Sequence, residues 1–117
     1  MFLIIKNIKK HTILCNNKKF FRDLFSKAKG LMFSRKISDT GYFFVFGKPA
    51  RIDLHMFFVF FPIDIIFLDK TKKVIEIKEN FKPFTFYFSK HKAKFVIELP
   101  QNTISKSNTE LNDILEF

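Results

Sequence analysis

The chain has 117 residues, 47% of them apolar, with 21 Lys and Arg against 11 Asp and Glu and a formal net charge of +10. That apolar content excludes a disordered charged tail, which could not offset the entropy of its own ordering, and the length fits one domain. The single cysteine, Cys15, excludes an intramolecular disulfide framework and a zinc site built from cysteines alone.

The charge is unevenly spread. Residues 1–36 hold ten Lys and Arg against one acid, Asp23, whereas residues 37–117 hold eleven against ten. Such an excess suggests a polyanion partner, with Lys18, Lys19, Arg22, Lys29, Arg35 and Lys36 as contacts. The alternative is a solvated basic face. Only three of the basic residues are Arg, and Lys, Phe, Ile and Asn share A/T-rich codons, so composition bias would raise all four together. Scarce Arg also argues against base-specific recognition, which favours its planar fork.

No targeting or spanning segment stands out. Phe2-Leu3-Ile4-Ile5 stops at Lys6, short of a signal-peptide core. The stretch from Leu54 to Leu68 contains His55, Pro62 and Asp64 and is too short for a bilayer. A free cysteine fits a reducing compartment. The expectation is a soluble cytoplasmic protein, with no membrane span, monomeric or weakly self-associating.

Residues 2–6 and 11–15 are apolar runs that predict short strands, joined by a polar segment. Phe20, Phe21, Leu24, Phe25 and Ala28 then recur at helical spacing, opposite Lys18, Arg22, Ser26 and Lys29. With Asn17 as N-cap and Gly30 just past the end, this predicts an amphipathic helix over 18–29. Such a helix either packs its apolar stripe on a sheet or lies on a membrane. Tyr42–Phe46, between Gly41 and Gly47, predicts a strand buried on both faces.

Leu54–Phe61 and Ile63–Leu68 form a longer apolar stretch. Pro62, which has no N–H for a ladder, marks a bulge, bend or edge within it. Residues 69–72 predict a hairpin turn leading to a strand at 74–78. Phe84, Phe86 and Phe88 alternate with Thr85 and Tyr87, as in a half-buried strand. A strand from Ala93 to Leu99 follows, then a polar, ordered loop over 101–112 and a last short strand over 114–117. The fold class expected is mainly β (α+β): a small barrel- or sandwich-like antiparallel or mixed sheet with one N-terminal amphipathic helix, in a single domain over 1–117.

Four stretches carry a family resemblance: Lys29-Gly30-Leu31-Met32-Phe33, the run from His55 through Met56 and Asp64 to Asp69, Phe81-Lys82-Pro83-Phe84, and Ala93 to Pro100. In order and spacing the chain resembles the domain of unknown function family 192, also called uncharacterised protein family 0127. The resemblance implies a compact, mainly β fold of this size and supplies no activity. Two departures are visible. Phe84 stands where the family commonly has Trp, and Asn112-Asp113 where it often has Gly-Asp. Asn tolerates a left-handed backbone, so the same turn is open to it.

Asp64 is the most informative single residue, a carboxylate inside an apolar run beside a proline. It is either a ligand-binding or acid/base group at a bulge, or an acceptor of main-chain N–H bonds that holds the bend. His55, close to Asp53, suits a ligand or a proton shuttle as well as a half-exposed surface position. The residues His55, Met56, Asp64, Met32 and Phe33 are thus the candidate ligand-binding set, although Met32 and Phe33 equally suit a core plug. No metal is expected, because His11, Cys15 and His91 do not complete a tetrahedral set. No cofactor is expected either: Gly30, Gly41 and Gly47 lack a phosphate-loop spacing.

Three functions therefore stand. The first is a binding or accessory module with a pocket near His55–Asp64. The second is a nucleic-acid binder using the basic N-terminal third. The third is a hydrolase-type enzyme using Asp64 and His55, so whether the protein is an enzyme is open. One further discriminator is the 19 phenylalanines. A contiguous surface remainder of rings would mark an interface, and lysines beside it would suit stacking of single-stranded bases.

Overall fold

In the computed structural model, which describes residues 4–21, 39–55 (side chains to residue 52) and 61–117, the apolar runs become strands and the polar runs turns. The strands in chain order are β1 (Ile5–Asn7), β2 (Thr12–Cys15), β3 (Asn17–Phe21), β4 (Thr40–Ala50), β5 (Asp53–His55), β6 (Ile63–Leu68), β7 (Val74–Phe81), β8 (Phe86–Phe88), β9 (Ala93–Pro100) and β10 (Leu115–Glu116). A single helical turn, α1 (Thr103–Lys106), lies between β9 and β10.

The central sheet has five strands in the order β3-β4-β9-β6-β7. β3 runs parallel to β4, and the other pairs are antiparallel. Strand β6 sits between β9 and β7, and all six of its residues are buried. Its alternation explains why the run is continuously apolar. Ile63, Ile65 and Phe67 enter one core with Phe44, Ile52, Phe61, Phe81 and Val96. Ile66 and Leu68 enter a second core with Ile5, Leu14, Phe43, Ile97, Leu99, Ile104 and Leu115. A three-stranded sheet, β10-β1-β2, and α1 cover the second core, while the two-stranded ribbon β5-β8 borders the first. Each such buried side chain stabilises the fold by about 1.5–3 kcal/mol relative to exposure.

Several expectations hold in detail. Pro62 lies immediately before β6, and the hairpin from β6 to β7 turns at Asp69–Lys72. There Asp69 Oδ1 accepts the N–H groups of Thr71 (2.8 Å) and Lys73 (3.1 Å), and Lys72 takes a φ of 67°. The polar segment after β9 is ordered and includes α1, and β10 pairs with β1. Asn112 has a φ of 74°, so the turn that favours glycine survives with asparagine.

Other expectations are corrected. Residues 18–21, assigned by periodicity to the first turn of a helix, are strand: Asn17 to Phe21 pair in parallel with Thr40 to Phe44. Cross-strand aromatic contacts favour this ladder, with Phe20 on Phe43 at 4.9 Å and Phe21 on Phe44 at 5.9 Å between ring centres. The rest of the predicted helix, residues 22–29, lies outside the described residues. The central sheet is also not a closed barrel, since β3 and β7 occupy opposite ends of its strand order. In β4, Phe43 and Phe44 are buried but Val45 is exposed, and the strand continues past Gly47 to Ala50.

Candidate functional site

Asp64 lies on β6 and is 1% exposed. The β6–β7 register slips between Ile63 and Ile65, where Ile63 opposes Phe81 and Ile65 opposes Lys78. β7 thus carries an extra residue there, and Asn80 takes a φ of 51°. Its N–H, displaced from the ladder, donates to Asp64 Oδ1 at 3.0 Å. Oδ2 accepts the N–H of Ile104 in α1, also at 3.0 Å. The carboxylate therefore ties the β7 bulge and the loop after β9 to the middle of the sheet.

The other members of the predicted set are less informative. His55 ends β5, its backbone opposite Phe86 of β8. Met32, Phe33 and Met56, with Arg22, Lys29, Arg35 and Lys36 of the predicted polyanion contact, lie outside the described residues. Of that contact, Lys19 is exposed and Lys18 is half-buried, its Nζ 5.7 Å from the Phe20 ring centre. Cys15 is buried. Burial, and then the nearby Asp39 charge, push its thiol up to about 12, which removes it as a nucleophile at neutral pH. Among the described residues no three His, Cys, Asp or Glu side chains gather as a metal site would require.

A different face of the molecule brings chemistry together. β8 alternates as a half-buried strand does, and the structure sets the phase. Phe86 and Phe88 are 56% and 64% exposed, and Phe84 just before them is 50% exposed. Tyr87 is the residue that turns inward, against Phe67 (5.8 Å) and Phe81 (6.3 Å). The rings of Phe86 and Phe88 are parallel to within 2°, with centres 6.3 Å apart. Phe84, at the position where Trp is common in the family pattern, has a left-handed φ of 60°.

A buried acid holds this arrangement in place. Glu76 on β7 is 6% exposed and accepts the hydroxyl proton of Tyr87. It also accepts the main-chain N–H groups of Lys90 and His91, both at 2.9 Å, and lies 3.0 Å from His91 Nδ1. Burial works against the charge on Glu76, but the Tyr87, Lys90 and His91 hydrogen bonds outweigh it and hold the carboxyl below its ordinary value of 4.5. Tyr87 responds in the opposite direction: burial, and then the Glu76 hydrogen bond, push its hydroxyl up to about 12. Ser89 closes the other side, exchanging hydrogen bonds with Ile52, whose N–H donates to Ser89 Oγ at 2.6 Å. The segment after β8 is thereby fixed by both β7 and the residue before β5.

Lysines flank the exposed rings in the sequence. Lys82, Lys90 and Lys92 are all exposed, and between Glu79 and Glu98 the chain has four lysines and no acidic residue. Composition alone carried this signal, because the lysine run and the alternating rings occupy one short stretch. What it did not reveal was which side of β8 faces water. Tyr87, the residue with a polar tip, finds a buried carboxylate, so the phenylalanines on either side turn outward.

The fold and this face define a small, mixed-sheet β protein with a lysine-flanked aromatic strand on its surface. The chain belongs to the DUF192 family, whose model, described as an uncharacterized ACR, matches residues 6–117. A UPF0127 protein of Thermococcus sibiricus is 35% identical over 97 residues, covering 80% of this chain and 60% of that protein. A UPF0127 protein of Pyrococcus furiosus is 35% identical over 102 residues, covering 83% of this chain and 84% of that one. The match thus spans less than two thirds of the first relative's length. Among solved structures, a protein of unknown function from Novosphingobium aromaticivorans superposes with a TM-score of 0.83 at 21% identity, covering 97% of this chain and 82% of its own. A Sinorhizobium meliloti protein, provisionally described as a transcription regulator, superposes with a TM-score of 0.77 at 25% identity over 85% of this chain and 79% of that one.

Proposed function

We propose that this protein is a binding module that contacts a polyanion through the outer face of β8. The observation that carries the reading is the pair of parallel, exposed rings, Phe86 and Phe88, set in a stretch with four lysines and no acid. Behind the strand, Glu76 is buried and its oxygens are held by Tyr87, Lys90 and His91, while Asp53 of β5 stands opposite Phe88 in the ladder. Lys18 and the exposed Phe20 on β3 repeat the pairing of lysine with aromatic ring, on the side of the central sheet that carries the second core. The provisional description of the Sinorhizobium meliloti protein is in keeping with a polyanionic partner.

A ligand pocket on the His55–Asp64 stretch draws no support from Asp64, whose two oxygens already accept main-chain hydrogens. The hydrolase reading loses the same group. The test of polyanion binding is titration of the full chain with inorganic polyphosphate at several salt concentrations. Neutralisation by Lys82, Lys90 and Lys92 predicts a log–log salt slope of about −2, since a flexible polyanion contributes about −0.7 per contact. Combined Lys82→Ala, Lys90→Ala and Lys92→Ala substitution removes most of that slope. Absence of binding at low salt overturns the proposal.

A further inference from the structure

β7 is the last strand of the central sheet, and β6 takes only one of its two edges. On the other edge Val74 alone is paired. Its N–H donates to the Asp113 carbonyl and its carbonyl accepts the N–H of Asn112, both at 2.8 Å. Over residues 75–79 no strand or loop among the described residues completes the ladder on that side. Such an edge is a template for another chain.

Natural edges carry guards, but those of β7 leave this stretch open. The bulge at Asn80 bounds it rather than interrupting it. Lys78 is turned to the face of the first core, its Nζ 5.6 Å from the Tyr87 ring centre. Beside the edge lies a groove of about 450 Å³, walled on its far side by α1 and the segment after it. Ile77, the buried Ile104 and Leu111, which is 54% exposed, make it apolar. Its described lining holds two acids, Glu79 and Glu110, and no base, in a chain with a formal net charge of +10. Lys10 engages Glu110 at 2.8 Å, so the exposed Glu79 is the carboxylate left for a ligand. Lys106 of α1 lines a separate groove beside β2.

We infer that this edge docks a short, extended, basic peptide segment of another protein, which adds to the central sheet as a sixth strand beside β7. The site lies apart from the β8 face and does not rest on the polyanion reading. Main-chain hydrogen bonds along residues 75–79 supply affinity, and the side chains on the groove face supply specificity. Ile77 and Glu79 are two residues apart on one strand and therefore share a face. The segment that fits has an apolar residue and a lysine or arginine at the same spacing, the first against Ile77, Ile104 and Leu111 and the second against Glu79. An acidic segment would meet Glu79 and Glu110 instead.

The experiment titrates the full chain with an acetylated and amidated Thr-Val-Thr-Lys-Thr-Val-Thr heptapeptide. Two controls are the same peptide with Glu in place of Lys and the same peptide with alternate amides N-methylated. The lysine peptide is expected to bind and to slow hydrogen exchange of the outward-facing amides over residues 75–79. The overall positive charge repels it elsewhere on the surface, so its binding reports this groove. The glutamate peptide is expected to bind about fivefold more weakly, the size of a cross-strand charge pair, and Glu79→Lys to reverse that preference. Leu111→Ser weakens both peptides, and N-methylation abolishes binding. Glu79 and Leu111 are exposed, so matching thermal melts of the variants and the parent remove misfolding as a cause. No binding of the lysine peptide, equal binding of its N-methylated form, or unchanged exchange over residues 75–79 overturns strand addition. A peptide preference that Glu79→Lys leaves unaltered overturns the assignment to a basic segment. Self-association of the chain that Glu79→Lys abolishes overturns the assignment to another protein and gives the edge to a second copy. None of these outcomes bears on polyphosphate binding, whose failure overturns only the reading of the β8 face.

Discussion

Asp64 shows how a carboxylate in an apolar run is made tolerable. Its burial would be costly for an unpaired charge, but both oxygens receive main-chain N–H groups, from Asn80 and Ile104. Asp64→Asn keeps the shape and one acceptor, and it sets an amide N–H against a main-chain N–H. The expected loss is about 1–3 kcal/mol, read from chemical denaturation, with polyphosphate binding unchanged. A variant as stable as the parent would show that the two bonds contribute little. The identity of Asp64 as an outlier was legible in the sequence. Its partners were not, because both lie on residues distant in the chain and one depends on a bulge in β7.

At the scale of the element, β8 is decided by one hydroxyl. The alternation of Phe84, Phe86 and Phe88 with Tyr87 is plain in the sequence, and hydrophobicity alone would bury the phenylalanines. The buried Glu76 reverses this, since a tyrosine supplies the proton that the carboxylate needs and a phenylalanine does not. Tyr87→Phe is therefore expected to cost about 1.5–3 kcal/mol, the range for a hydrogen bond to a charged group. Phe88→Ser is expected to fall within about ±0.5 kcal/mol, as for an ordinary surface change. Equilibrium unfolding of the two variants checks both, and the opposite ranking would mean that β8 sits in the other register. β3 carries the same lesson. Its helical periodicity was real, but at residues 17–21 the parallel ladder to β4 and the stacking of Phe20 on Phe43 prevail.

Across the whole molecule, three carboxylates with lowered pKa values tie separate parts together. Asp69 holds the β6–β7 hairpin and Glu76 holds β7 to the segment after β8. Asp113, beside the left-handed Asn112, joins the C-terminal turn to β1, accepting from Asn7 at 2.9 Å and meeting Lys10 Nζ at 3.2 Å. In each, burial raises the pKa, and the hydrogen bonds more than reverse it: from Thr71 and Lys73 for Asp69, from Tyr87 for Glu76, and from Asn7 for Asp113. A carboxyl whose folded pKa lies below its unfolded value binds fewer protons in the native state. Its stabilisation is therefore complete above the ordinary carboxylate values of 3.8 and 4.5 and is lost as pH falls through the folded ones. Thermal melting should be nearly flat from neutrality to about pH 5 and fall steeply below about pH 4. Glu76→Gln should lower the neutral-pH melting temperature and flatten part of the acid slope. A parent whose stability does not decline in acid would contradict this account.

The sequence by itself determined the mainly β class, the Pro62 boundary, the Asp69–Lys72 hairpin, the left-handed turn at Asn112 and the family. Each depends on residues close together in the chain, whose backbone preferences and hydrophobic period act locally. Tertiary structure alone decided the parallel docking of Asn17–Phe21, the open order of the central sheet, the partners of Asp64 and the outward turn of Phe86 and Phe88. These depend on which distant groups meet. The face proposed here for ligand binding exists because a glutamate on β7 claims the one tyrosine of β8 and leaves the phenylalanines to the solvent.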